Sequence, residues 1–475
     1  MTEVRTRFAP SPTGYLHVGG IRTALFGWLL ARQDDGQFIL RLEDTDRQRE
    51  VKEAKDHIIN SLDALGLKYD EGPNKGGPYA PYIQSERLDI YHNWANKLIS
   101  SGRAYADPYS TEEVQAFREE AAKNKRPFLY RNHRPDNPSP WDGSTPLRFK
   151  SEPKAYAWHD AVMGELNSSE EAIDDFILVK SDGFPTYNFA HIVDDCEMKI
   201  THILRGQEFL PSVPNYLNLY EALGLTPPIL ATLPHVLGPD GKKKLSKRDG
   251  ARDILDYIKL GYLPEALISF IATLGWNDGS EQEIFTRDEL IKKFSLDRVG
   301  RAGAQFDERR LNWINGNLIR QMDLNELYNV ASQYWPTEAD GFSDSYKMEV
   351  LGLIQERLKF LAEIPELSRF FFVDLPLDPT LISEHKQLSK LSNAELKEIL
   401  IRVKSSLEQS DYTIDDITNR LNSLLTDTGL KPVVLFSLIR IATTQAPASP
   451  SLAGSLSVLG KDKVNARLTD QINNL

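Results

Sequence analysis

Residues 3–42 read EVRTRFAPSPTGYLHVGGIRTALFGWLLARQDDGQFILRL. Glu3 to Phe8 reads as a strand, the Pro- and Gly-rich APSPTGYLHVGG as a turn, and Ile21 to Arg32 as an apolar-rich helix. Asp34, Asp35 and Gly36 break that helix, and Phe38 to Leu42 alternates as a second strand. Strand, helix, strand with short connections implies a right-handed parallel unit. The turn also carries chemistry. A helix N-terminus presents free N–H groups and a partial positive charge, which suit phosphate. Gly19 and Gly20 permit close approach to the backbone, and His17 can hydrogen-bond a polyphosphate. The spacing is neither a Walker A loop nor a dinucleotide fingerprint. Taken alone, a Gly-rich turn with an incidental histidine explains it equally well.

Outward from this unit, a helix is expected from about Arg49 to Leu65, with Val51, Ile58, Ile59, Leu62 and Leu65 on one face. Pro and Gly then cluster at GPNKGGPYAP, Ser110 to Glu113 spells a capping box, and Ser181 to Gly183 spells a hairpin turn. This stretch reads as an insertion. Strand-like runs return at Ile200 to Leu204 and Ile229 to Leu233 with a helix between them, which would complete the parallel sheet. After the loop GPDGKKKLSKRDG the pattern is helical, as in LPEALISFIATLGW and DERRLNWINGNLI. Lys347 to Phe372 shows helical apolar spacing at Leu351, Ile354, Leu358 and Leu361, and APASPS precedes a last helical pair. The expected architecture is α/β and multidomain: a parallel-sheet, Rossmann-like nucleotide-binding domain with an α+β insertion, then an all-α C-terminal region. Its parts are 1–72 with 183–240, an insertion at 73–182, a helical part at 241–323, and two helical subdomains at 324–375 and 376–475.

Bulk properties narrow the function. With 475 residues the chain exceeds one ordinary core, and its 41% hydrophobic and 26% charged content is that of a globular protein. No apolar run approaches the roughly 20 residues that span a bilayer. The opening MTEVRTRFAPSP lacks a secretory pattern, so a cytoplasmic location is expected. The single cysteine, Cys196, excludes an intrachain disulfide and a multi-cysteine zinc site, and reads as a buried small apolar residue. A net charge of −12 argues against non-specific nucleic-acid binding but not against a shaped partner. Arg118 to Arg134 and Lys242 to Arg248 are locally basic, and each alone reads as a solvated face.

A second constellation is KLSKR, Lys244 to Arg248. Two lysines in a loop can close over a nucleotide and neutralise charge on a leaving group. Paired with the His17 turn some 230 residues earlier, it resembles the double signature of class I aminoacyl-tRNA synthetases. APSPTGYLHVGG, RLEDTD, SDGFPTYNFAHIVDD, THILRGQE and KLSKRDGA resemble the blocks of glutamyl-tRNA synthetases of the bacterial or organellar kind, in order and spacing. LPEALISFIATLGW, NWING and the terminal SPSLAGSLSVLGKDKV extend the resemblance.

The resemblance implies adenylation of L-glutamate by ATP with Mg²⁺, then transfer to tRNA(Glu), by a monomer. It implies catalytic roles for His17, Lys244 and Lys247. ATP would meet His17, Gly19, Gly20, Glu208, Val236, Leu237, Lys244, Lys247 and Arg248. Glutamate would meet Arg7, Ser11, Glu43, Tyr187, His191 and Arg205, the arginines because a planar fork matches a carboxylate. Arg357 would read the anticodon. Asp194 and Asp195 read as structural caps before they read as a metal site. Some relatives carry zinc in the insertion; with no cysteine there, no zinc is expected. Three alternatives stand beside this reading. A glutaminyl enzyme is disfavoured by APSPTG and by the helical C-terminal third. A truncated relative that glutamylates a tRNA base is disfavoured by the residues after Leu324. An inactive RNA-binding homologue is disfavoured by His17, Lys244 and Lys247. Charging of glutamine tRNA remains open.

Overall fold

The computed structural model describes residues 3–49, 51–245, 252–446 and 449–475. It divides into two compact units, Met1–Ile258 with Pro264–Leu311, and Lys259–Leu263 with Asn312–Leu475. The first unit holds strands β1 (Arg5–Phe8), β2 (Gln37–Leu40), β3 (Ala104–Ala106), β4 (Leu147–Phe149), β5 (Tyr156–Asp160), β6 (Gly164–Ser168), β7 (Ile177–Val179), β8 (His202–Gly206) and β9 (Ile229–Leu233). Its longer helices include α1 (Val18–Gln33), α2 (Ala54–Ala64), α3 (Leu88–Ser100), α4 (Thr111–Lys123), α5 (Tyr187–Glu197) and α6 (Val213–Ala222).

The main sheet has the order β2-β1-β8-β9-β5-β6. Every neighbouring pair is parallel except the β5–β6 hairpin. β1 is buried at all four positions although it reads RTRF. Its charges are tolerated because they are paired: Arg5 meets Glu71 at 2.8 Å and Arg7 meets Asp195 at 3.1 Å. α1 packs on β1 with Ile21, Leu25, Phe26 and Leu29 wholly buried. It ends where Asp35 takes a positive φ of 50° and Gly36 donates back to the Ala31 carbonyl at 2.8 Å.

Two expectations need correction. The helix foreseen from Arg49 starts at Ala54. The residues before it have other partners: Arg49 pairs with Asp46, and Val51 N–H bonds the Pro12 carbonyl at 2.9 Å. The insertion 73–182 is not structurally separate. β3-β4-β7 form their own antiparallel sheet, but β5–β6 extend the main one, with Asp160 beside Leu230. The Asp160 carboxylate fixes that junction by accepting both Thr232 N–H at 3.0 Å and Thr232 Oγ1–H at 2.6 Å. The helical spacing of Lys347 to Phe372 is carried by two helices, Asp344–Ile354 and Ile364–Phe372. Between them Leu361 and Ala362 donate to the carbonyls of Gly261 and Leu260, and the Asn315 amide donates to Lys359 O, so tertiary partners replace helical ones.

The second unit is helical. One cluster gathers Ile319, Leu327, Leu351, Leu358 and Ile364. Another gathers Leu396, Leu400, Val403, Leu421, Leu438, Leu456 and Leu468, and reaches back to Val350 and Phe371, so this core crosses the boundary expected at 375. No helix among the described residues is long and apolar enough to cross a membrane.

Candidate active site

A cavity of about 850 Å³ opens in the first unit at the carboxyl ends of β1 and β8, against the N-terminus of α1. That is where parallel open sheets bind ligands. Of the residues singled out from the sequence, Arg7, Ser11, His17, Gly19, Gly20, Glu43, Tyr187, Arg205, Glu208, Val236 and Lys244 line it.

One end suits phosphate. His17 is the N-cap of α1, its Nδ1 accepting from Gly19 N–H at 3.1 Å. In the neutral ring the proton therefore sits on Nε2, a donor. The first turn of α1 holds no acidic residue, so its positive end is not neutralised locally. Across the cavity Glu208 follows β8 on a 3₁₀ turn, and Lys244 donates to it at 3.0 Å. Burial pushes the Glu208 carboxyl up, but its own backbone N–H and Lys244 pull harder, and the net shift is downward. Gly206 makes room for this: a Cβ there would lie 2.1 Å from Glu208 Oε2. Val236 and Leu237 form a two-residue strand parallel to Ala304–Gln305, and Leu245 N–H bonds the Val236 carbonyl at 2.8 Å.

The other end suits a carboxylate beside an amine. Arg7 Nε donates to Asp195 Oδ1 at 3.1 Å. Arg205 is 6% exposed, and its guanidinium lies 4.9 Å from the Tyr216 ring centre. Its Nη1 is buried with no hydrogen-bond partner, a costly state that a ligand acceptor would relieve. Glu43 accepts from Arg41 Nη2 at 2.9 Å. Burial pushes the Glu43 carboxyl up to about 7, against the pull of Arg41 and Arg7. Burial likewise raises the Tyr187 phenol, so it stays protonated and able to donate.

His191 does not line the cavity, contrary to expectation. It lies beneath Tyr187, stacked at 4.7 Å with Nδ1 2.7 Å from the Tyr187 carbonyl, and edge-on to Tyr216. Burial and the Arg205 cation push its imidazole down to about 3, so it is a neutral support. Leu237 is also absent from the lining. Lys247 and Arg248 lie outside the described residues. Arg357 is exposed on the 3₁₀ turn Gln355–Arg357 of the second unit, near enough to Arg440 to help depress that guanidinium after burial.

Sequence reasoning missed the groups that hold the site. Asp194 and Asp195 neither cap a helix with their side chains nor belong to a metal cluster among the described residues. Asp194 accepts from Arg87, Gln84 and Tyr91, while Asp195 accepts from Arg41 at 2.7 Å and from Arg7. Burial would raise Asp195, but Arg41 and Arg7 hold it down at about 2. Arg22 on α1 donates to the carbonyls of Leu274 and Pro234; burial lowers it to about 10, with Glu208 pulling back. The doubled aspartate was visible as residues, but Asp194 and Asp195 meet Arg87 and Arg41 more than a hundred positions away.

Comparison with known proteins agrees with this geometry. The family model "tRNA synthetases class I (E and Q), catalytic domain" matches residues 3–313, and an anticodon-binding-domain model matches 326–472. A glutamate–tRNA ligase of Dehalococcoides mccartyi is 40% identical over 98% of this chain and 96% of its own. One of Chlorobaculum parvum is 39% identical over 98% and 97%. The crystal structure of a glutamate tRNA ligase from Elizabethkingia meningosepticum in complex with its amino acid superposes with a TM-score of 0.88 at 33% identity, covering 100% of both chains. A parallel-sheet cavity with a capped histidine turn, and likeness along nearly the whole length, place this chain in the class I tRNA synthetases of the glutamate and glutamine type.

Proposed function

We propose that this chain is a glutamate–tRNA ligase that activates L-glutamate with ATP and esterifies it to tRNA(Glu). The observation that carries the amino-acid choice is that Arg7 and Arg205, both nearly buried, line one cavity with Glu43, and that Arg205 Nη1 has no partner among the described residues. Two guanidinium groups match a side-chain carboxylate, and Glu43 matches the ammonium. Ser11 and Tyr187 supply hydroxyls. Glutamine offers a neutral amide where the arginines need an acid; each charged hydrogen bond so lost costs about 1.5–3 kcal/mol.

In the first step an α-carboxylate oxygen of glutamate attacks the α-phosphorus of ATP. The bond from that phosphorus to the bridging oxygen breaks, and pyrophosphate leaves with the electron pair. In the second, the terminal ribose hydroxyl of tRNA attacks the activated carbonyl, an ester forms and AMP leaves. The chain's part is positioning and charge stabilisation. His17 Nε2–H and the positive end of α1, which Gly19 and Gly20 leave open to close approach, face the phosphates, and Lys244 with Lys247 and Arg248 offsets the charge of the departing pyrophosphate. Glu208 and the backbone of Val236 and Leu237 border the nucleotide. Mg²⁺ would enter with the nucleotide, keep several of its waters, and supply charge stabilisation to the phosphates.

Catalysis falls to 1–72 and 183–240, the acceptor end of the tRNA to 73–182 apart from the β5–β6 hairpin, stem contact to 241–323, and the anticodon to 324–375 and 376–475. The enzyme acts as a cytoplasmic monomer without zinc. The test is ATP–pyrophosphate exchange and tRNA charging with glutamate, glutamine and aspartate. Exchange with glutamate alone, suppressed when tRNA is omitted, is the expected result. No exchange and no charging with tRNA present would replace this reading with a binding-only one.

A further inference from the structure

His57 on α2 does not line the cavity, yet it touches the turn that does. Its ring stacks on Tyr15 at 4.5 Å with an interplanar angle of 25°. Its Nδ1 is 3.5 Å from Leu16 N–H, and its Nε2 is 2.5 Å from Asp253 Oδ2. Asp253 in turn pairs with His17 through an antiparallel backbone bridge, and its Oδ1 caps the next helix by accepting from Leu255 N–H at 2.8 Å. One imidazole therefore joins three neighbours of the phosphate turn: the residues at 15 and 16, the strand partner of His17, and α2.

We infer that His57 and Asp253 are a positioning pair for the His17 turn, holding Nε2 of His17 and the start of α1 where ATP meets them. This rests on the function proposed above. The ring's orientation is chemically specific. Nδ1 lies toward the Leu16 N–H and 3.5 Å from Ser61 Oγ, and Nε2 lies against the Asp253 carboxylate in a close polar contact rather than an aligned hydrogen bond. The pair is largely shielded, with side chains 11% and 14% exposed, so water competes weakly for either partner. A helix residue that merely filled space under a loop would need the ring and not its nitrogens. Displacing a catalytic group by 1 Å can cost two orders of magnitude in rate, which is why such a brace matters.

The two roles separate experimentally. His57→Phe keeps the stack on Tyr15 and removes both polar contacts. His57→Gln restores an N–H donor toward Asp253. Asp253→Asn keeps an oxygen for Leu255 and removes the charge. Charging assays at varied ATP and varied glutamate are the measurement. His57→Phe should lower kcat/KM for ATP roughly 10-fold or more, with KM for glutamate within about twofold of wild type. His57→Gln should recover to within roughly threefold, and the His57→Phe, Asp253→Asn double variant should be no worse than His57→Phe alone. An unchanged ATP profile in His57→Phe would overturn the pairing, as would equal loss for both substrates or additive single effects. If His57→Phe does not fold, Asp253→Asn and His57→Gln decide: full ATP kcat/KM in Asp253→Asn overturns the pairing, and selective loss there with recovery in His57→Gln supports it. An inactive wild type would defeat the proposed function instead, which keeps the two failures distinct.

Discussion

At the scale of single residues, this site is a balance of buried charge. Arg7, Arg41 and Arg205 face Glu43, Asp194 and Asp195, all six nearly inaccessible to water. Five of the six have an ionic partner on the protein. Arg205 has aromatic rings on its flank and an empty Nη1. His191 stays neutral beneath this group, where a further cation near Arg205 and Arg7 would cost more than it gained. A lysine at 205 would keep the charge and lose the planar fork. Arg205→Lys is expected to raise KM for glutamate roughly 10- to 100-fold, the value of one or two charged hydrogen bonds, while KM for ATP stays within about twofold. Initial rates at varied glutamate and varied ATP check this; equal changes in both constants would count against a glutamate-specific role. Arg7, Arg205 and Glu43 were legible because their residue types suit an amino acid and their blocks resemble a known family. His191 was misplaced because its side of α5 depends on the rotation of the helix, which a motif does not specify.

At the scale of elements, the phosphate turn is set by how α1 begins and ends. His17 caps its start, and its end is closed by Gly36, where an added Cβ would lie 2.1 Å from the Val4 carbonyl oxygen. That oxygen also accepts Gln37 N–H at 2.8 Å as β2 begins, so it cannot retreat without loosening the β1–β2 pair. Gly36→Ala should therefore destabilise the first unit by about 1–3 kcal/mol, as overpacking does. The check is a lowered denaturant midpoint followed by a probe in that unit; an unchanged midpoint would mean the turn relaxes freely. The insertion shows a different economy. It has no cysteine, and ion pairs cross-link it. Arg148 donates to Asp107 at 2.8 and 2.6 Å and lies over the Tyr130 ring at 3.3 Å, while Tyr130 donates to Asp107 as well. Arg134 grips Asp175 at 2.7 and 2.6 Å. The capping box at Ser110 and Glu113 was readable from sequence because it is a local motif, and it is present at the start of α4.

At the scale of the molecule, net charge says little about the RNA partner. A chain at −12 must recognise it through placed groups rather than bulk attraction. The second unit offers Arg357, exposed on a turn between two helices, with Arg440 near it. If Arg357 disfavours the glutamine anticodon, Arg357→Gln should raise charging of glutamine tRNA relative to glutamate tRNA by roughly 10-fold, the scale of one base-directed arginine. Parallel charging of the two purified tRNAs measures it, and an unchanged ratio would remove Arg357 from anticodon choice.

The sequence by itself determined the alternation of strand and helix around residues 3–42, the return of strands near 200 and 229, the helical C-terminal third and the blocks that carry the chemistry. These are properties of neighbouring residues, where periodicity, caps and turn formers act over a few positions. Only the tertiary structure decided that the β5–β6 hairpin joins the main sheet, that the segment from Lys347 to Phe372 is broken by bonds to Leu260 and Gly261, and that Asp195 anchors Arg7. Each of those depends on a partner distant in the chain. Whether a buried charge is an anchor, a ligand group or a cap is settled by which opposite charge folding brings within 3 Å or so of it.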